Sequence, residues 1–153
     1  MLLGKKNKKE SSEIVLKKNI LLNCIEQPKD EVIRKIGGLL VESGYVKPDY
    51  VEAMIEREKT YATYMGNGIA LPHGVESAKN EVRASGIAVM VFPEGTDWDG
   101  DRAKVVIGIA GKGEEHLDIL GNIALKLGDE KAVDEVLSMN VEELYDFITR
   151  KEE

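Results

Sequence analysis

Gly86-Ile87-Ala88-Val89-Met90-Val91-Phe92 is a near-continuous apolar run, and Val105-Val106-Ile107-Gly108-Ile109-Ala110 is a second. Runs of this length read as strands covered on both faces, although the pattern alone also fits buried helix. Between them, Pro93-Glu94-Gly95 and Asp99-Gly100-Asp101 read as a polar connection. Ahead of the first run, Val32, Ile33, Ile36, Leu39 and Leu40 recur at helical spacing from Lys29 to Glu42. Pro28 suits the start of that helix and Gly44 its end, while Gly37 and Gly38 suit close packing on a neighbour.

A second helix opens at Pro48-Asp49, carries Val51, Met54 and Ile55, and ends in Glu56-Arg57-Glu58-Lys59. Farther out, Ile14 to Ile25 accommodates a strand or two, residues 60–75 read as irregular chain, and Ser77 to Arg83 suits a short helix. After Glu115, Leu117, Leu120, Ile123, Ala124 and Leu127 share one helical side, and two more helices fit 129–138 and 141–150. Helices before and after buried strands imply a single layered α/β domain, a mixed sheet with helices on both sides. Strand order is not legible. Gly66-Asn67-Gly68 lacks the third glycine of a dinucleotide fingerprint and precedes Pro72.

The whole chain narrows the function. Its 153 residues carry 21 Lys and Arg against 28 Asp and Glu, a formal charge of −7 that argues against nucleic acid as a partner. The single cysteine, Cys24, excludes an intramolecular disulfide and fits a cytoplasmic location. Residues 1–12, with Lys5, Lys6, Lys8 and Lys9, read as a flexible basic tail, and 13–153 as the domain. No apolar run approaches the ~20 residues of a spanning helix, so the chain is expected to be soluble and not membrane-embedded.

The chemistry concentrates in Tyr64-Met65-Gly66-Asn67-Gly68-Ile69-Ala70-Leu71-Pro72-His73-Gly74. A neutral imidazole nitrogen is a nucleophile near neutral pH, and a Pro-His-Gly turn can present one to solvent. The same tripeptide also fits a histidine that only caps a turn. Two histidines are too few for a zinc site, and no cofactor motif is present.

The longer segment resembles the enzyme IIA family of the bacterial phosphotransferase system, mannitol/fructose class. The resemblance runs through Met54-Ile55-Glu56-Arg57-Glu58, Gly68-Ile69-Ala70-Leu71-Pro72-His73-Gly74, Phe92-Pro93-Glu94-Gly95, Val106-Ile107-Gly108-Ile109-Ala110 and Glu115-His116-Leu117. It covers most of residues 14–150, and the later segments look closest to the mannitol branch. It implies that His73 takes phosphate from the small carrier HPr and passes it to a cysteine on an enzyme IIB. It places Arg57 near His73, where a guanidinium fork can hold phosphoryl oxygens, and His116 facing His73. Arg57 otherwise reads as a surface charge paired with a neighbour, and His116 as a polar residue of a first helical turn. Asn67 stands where many relatives are acidic and receives no role.

Cys24 has no glycines or hydroxyls after it to cradle phosphate, so the acceptor cysteine belongs to another chain and this one reads as a freestanding enzyme IIA. Met65, Ile69 and Leu71 could form an apolar rim that serves both partners. The resemblance also admits a regulatory relative whose phosphorylation signals rather than feeds transport. From another class, a module binding a small anion without a covalent step remains compatible with the residues. The sugar itself is not legible beyond mannitol as the first expectation.

Overall fold

The structure is a computed structural model and describes residues 13–74 and 80–150. Among them, one five-stranded sheet forms from β1 (Val15–Leu21), β2 (Tyr64–Gly66), β3 (Ile69–Ala70), β4 (Gly86–Trp98) and β5 (Asp101–Ala110), in the order β1-β4-β5-β3-β2. β4 and β5 are antiparallel, as are β2 and β3, while β1 joins β4 and β3 joins β5 in parallel. The sheet is therefore mixed.

Both apolar runs are strands, and the alternation of their side chains explains why they are apolar throughout. Ala88, Met90, Phe92, Val106 and Ala110 face one core, packed under α1 (Lys29–Glu42) and α2 (Asp49–Thr60). Ile87, Val89, Val91, Val105, Ile107 and Ile109 face a second core. That core is closed by α3 (Glu115–Lys126), α4 (Glu130–Leu137) and α5 (Val141–Thr149). A strand buried on both faces has no polar side to show.

α1 begins and ends where Pro28 and Gly44 suggest. Gly44, at φ 84°, lets its own N–H reach the Val41 carbonyl and the Tyr45 N–H reach Leu40, which closes the last turn. Of the paired glycines, Gly37 lies against Val51 of α2 and Gly38 meets nothing. α4 is capped by the Asp129 carboxylate on the Ala132 N–H, and α5 by a reciprocal Asn140–Glu143 box.

Four expectations are corrected. Pro93-Glu94-Gly95 is not a connection: β4 runs on to Trp98 with a register shift between Val91 and Thr96. The exposed Pro93-Glu94 bulges outward there, and the buried Thr96 hydroxyl exchanges hydrogen bonds with the Gln27 backbone at 3.1 and 2.9 Å. The true turn is Asp99-Gly100, both at positive φ, 57° and 97°, as a two-residue hairpin requires. Residues 60–75 hold a second hairpin, β2–β3, turning at Asn67 (φ 55°) and Gly68 (φ 83°). Asn80 and Glu81 form a 3₁₀ turn that stops before Val82 bridges Val46, while residues 75–79 lie outside the described residues, as does the expected tail 1–12. Finally, α3 buries Ile119, Ile123 and Leu127, whereas Leu117 is exposed.

Candidate functional site

The site begins at the end of β3. Pro72 follows the strand and keeps its carbonyl in the sheet, where it accepts the Ile109 N–H at 3.0 Å. His73 then forms an isolated parallel bridge with Ile109, so the turn continues the edge of β5 rather than looping free. The His73 Nδ1 stands 2.8 Å from the Leu71 carbonyl. A carbonyl oxygen only accepts, so Nδ1 carries the hydrogen, and in the neutral ring the lone pair lies on Nε2. The ring is half-buried.

Tyr50 of α2 clamps the next residue. Its hydroxyl accepts the Gly74 N–H at 2.9 Å and donates to the Ile109 carbonyl at 2.8 Å. Burial pushes the phenol above its ordinary value, offset in part by the Gly74 N–H. The residue after His73 must be glycine here, because a Cβ would lie 2.6 Å from the Tyr50 ring.

His73 and Arg57 line one open cavity of ≈ 400 Å³. Thr63, Tyr64, Met65 and Leu71 complete its wall on the β2–β3 side, and Leu120, Gly121 and Ala124 of α3 stand opposite. Arg57 Nη1 donates to the Tyr61 carbonyl at 3.2 Å, and its guanidinium carbon lies 5.1 Å from the Tyr61 ring centroid. Among the described residues no carboxylate pairs with it, neither Glu56 beside it nor a residue one turn away. A positive charge held by a backbone oxygen and an aromatic face keeps donors for an anion.

The other predicted positions separate. His116 lies in the first turn of α3, and its side chain lies outside the described ones. Met65 is exposed at the cavity rim, Leu71 reaches the cavity from a buried position, and Ile69 belongs wholly to the core. Asn67 shapes the hairpin turn and donates to the Gly128 carbonyl at 3.2 Å. Cys24 packs against the α1–α2 core with its thiol on the Leu21 carbonyl, and burial pushes that thiol up. A larger cavity of ≈ 580 Å³, between the segment ahead of β1, the start of β4, α3 and α5, holds neither His73 nor Arg57.

Three residues of the surroundings escape a reading by residue type. Tyr50 and Tyr61 carry no motif, and Glu58 lies within a charged run. Glu58 is in fact buried, receiving Thr63 N–H at 3.0 Å, the Thr63 hydroxyl at 2.7 Å and the Trp98 indole N–H at 2.9 Å. Its place was legible, since Val51, Met54, Ile55 and Glu58 share one helical face.

Residues 13–151 match the family described as phosphoenolpyruvate-dependent sugar phosphotransferase system, EIIA 2. The chain belongs to that family. Among enzyme IIA relatives, the mannitol-specific phosphotransferase enzyme IIA component of Halalkalibacterium halodurans is 49% identical over 129 residues, 84% of this chain and 89% of the relative. The component of the same description from Bacillus subtilis is 48% identical over 132 residues, 86% and 92%. The crystal structure of enzyme IIA mannitol from Escherichia coli superposes with a TM-score of 0.79 at 37% identity, covering 86% of this chain and 96% of that one. A complex of enzyme IIA mannitol with phosphorylated enzyme IIB mannitol from the same organism gives 0.80 at 36%, covering 87% and 95%. The expected fold is thus the fold of enzyme IIA. Among the described residues, no helix is long and apolar enough to cross a membrane.

Proposed function

We propose that this enzyme IIA carries phosphate on His73, taking it from phosphorylated HPr and giving it to a cysteine of an enzyme IIB that serves mannitol or a related sugar. The observation that carries the reading is the Leu71 carbonyl on His73 Nδ1, which makes Nε2 the nucleophilic nitrogen in the cavity that Arg57 also lines. The Nε2 lone pair attacks the donor's phosphorus, and the donor's N–P bond breaks with its electron pair returning to the donor imidazole. Phosphorylation at Nε2 makes the Nδ1–H ring cationic, and the Leu71 carbonyl stabilises that charge. In the second transfer a thiolate attacks phosphorus, an S–P bond forms as the Nε2–P bond breaks, and the electron pair returns to Nε2 to give the neutral His73 ring.

Little covalent work falls to the protein. Positioning and electrostatic support of the equatorial oxygens suffice, and Arg57 is the cation placed to supply the support. His116 belongs to this site by family resemblance. The raised Cys24 thiol makes a poor nucleophile and leaves the acceptor role to a partner's cysteine. The mannitol specificity of the relatives supports the choice of sugar.

Intact-protein mass spectrometry after incubation with phosphoenolpyruvate, enzyme I and HPr tests the reading. One acid-labile phosphoryl group on the native chain and none on His73→Ala is the expected result. A folded native chain that stays unmodified beside active HPr overturns it. Subsequent loss of the group on adding enzyme IIB of the mannitol class tests the acceptor.

A further inference from the structure

We propose that Glu58 is a positioning residue that sets the ring of His73 and the reach of Arg57 through one buried carboxylate. The inference rests on His73 being the phosphoryl acceptor and deepens that reading. Glu58 is 4% exposed within the run Glu56-Arg57-Glu58-Lys59, whose other members are exposed or half-buried. Each of its polar partners among the described residues is a donor: the Thr63 N–H and hydroxyl, the Trp98 indole N–H, and the Lys29 ammonium at 3.6 Å. An acceptor-only carboxylate matches such a shell, and packing alone does not account for it, because an apolar side chain of similar volume is often no less stable there.

The bonds lead from Glu58 to the site in short steps. Glu58 fixes Thr63 at both its amide and its hydroxyl. The Thr63 carbonyl accepts the Leu71 N–H at 3.0 Å, and the Leu71 carbonyl accepts the His73 Nδ1–H at 2.8 Å. The same two contacts close the segment 58–63 into a loop. Inside that loop lies the Tyr61 carbonyl that holds Arg57. One carboxylate therefore orients the acceptor that selects the His73 tautomer and the carbonyl that aims the cation. Releasing it frees both, and displacement of reacting groups by about 1 Å costs up to ~100-fold in rate.

The variants are Glu58→Ala, Glu58→Gln and Thr63→Val. Each is read by ring ¹⁵N NMR of His73 above its titration range and by the rate of phosphoryl acceptance from HPr. Trp98, the only tryptophan, reports through its indole N–H whether the fold around Glu58 is kept. In native protein the neutral His73 ring is expected as the Nδ1–H tautomer alone. Glu58→Ala and Thr63→Val are expected to show a tautomer mixture and about 10- to 100-fold slower transfer, at an unchanged half-saturating HPr concentration. Glu58→Gln keeps an acceptor oxygen, and the Thr63 hydroxyl can turn to accept from its amide. It is expected to restore the tautomer and to transfer within about 3-fold of native, a rescue that a charge requirement would forbid.

A folded Glu58→Ala with the native tautomer and native rate overturns the proposal. Should Glu58→Ala not fold, Thr63→Val decides by the same two readouts. The tautomer is measured without any donor, so native protein that never accepts phosphate sinks the carrier reading alone while the ring spectrum still judges Glu58.

Discussion

The Tyr50 hydroxyl and the Gly74 amide meet at 2.9 Å, so a helix on the far side of the sheet edge holds the residue that follows His73. The same hydroxyl donates to Ile109, which ties that turn to the end of β5. Tyr50→Phe removes both of the bonds that the buried hydroxyl makes to these backbone groups. A loss of about 1–3 kcal/mol is expected from urea denaturation, together with slower phosphoryl acceptance. Native stability in Tyr50→Phe would show that water replaces the hydroxyl.

Gly74→Ala tests the same contact from the other side. The added methyl lands within the Tyr50 ring, so ring or turn must shift, at a cost of about 1–3 kcal/mol. A thermal melt measures that cost. The expected kinetic signature is a lower rate of transfer, and Gly74→Ala combined with Tyr50→Ala should lose less stability than the two single losses added together.

Arg57→Lys keeps the charge but loses the planar fork and the stack on Tyr61. It is expected to transfer faster than Arg57→Ala, with both slower than native, by about 10-fold or more for the alanine variant. Both should melt close to the native temperature, since the guanidinium is half-exposed. Stopped-flow or quenched transfer from phosphorylated HPr gives the comparison, and a full-rate Arg57→Ala would remove Arg57 from the site.

His116→Ala is expected to slow transfer while phosphate still appears on His73. Peptide mapping of the phosphorylated variant under alkaline conditions checks the location. Unchanged kinetics would leave His116 as a polar residue of the first turn of α3.

Burial pushes the phenols of Tyr50 and Tyr45 above their ordinary 10.0. The folded state then holds these protons more tightly than the unfolded chain does. That contribution to stability is full below pH ~10 and is lost as pH rises through the folded values. The urea midpoint should therefore fall above pH ~10, and fall less steeply in Tyr50→Phe. An identical slope in the two proteins would contradict the raised value.

Much of the layer plan was legible because local rules and burial agree in it. Pro28 and Gly44 bracket α1, and the doubly buried β4 and β5 leave no polar alternation to misread. Failures came where one signal has two structural uses. Pro93-Glu94-Gly95 has turn composition but forms a bulge, because Gln27 captures Thr96 and keeps the strand going. Asn67-Gly68 is a strong hairpin signal, yet β2 and β3 are too short to show a period of two. Leu117 has the spacing of a core residue and sits exposed, since α3 turns Ile119 and Ile123 inward. The meeting of Arg57 with His73 depends on β3 pairing with β5, a long-range event with no local mark; only resemblance anticipated it.

The β4–β5 hairpin has a consequence for the order in which the molecule assembles. Its two long strands are joined by two residues, so it closes with little chain entropy. β1 and β3, by contrast, lie parallel to their partners and must wait for chain that crosses over. The hairpin is thus expected to act as the nucleus, with β3 and the His73 turn docking late onto an edge already formed. Substitutions in β4 should slow refolding, while those at Ile69 or Leu71 should chiefly hasten unfolding. A turn assembled last is also expected to be the first to open, and native-state hydrogen exchange at Ile109, whose amide is held by Pro72, would time that opening.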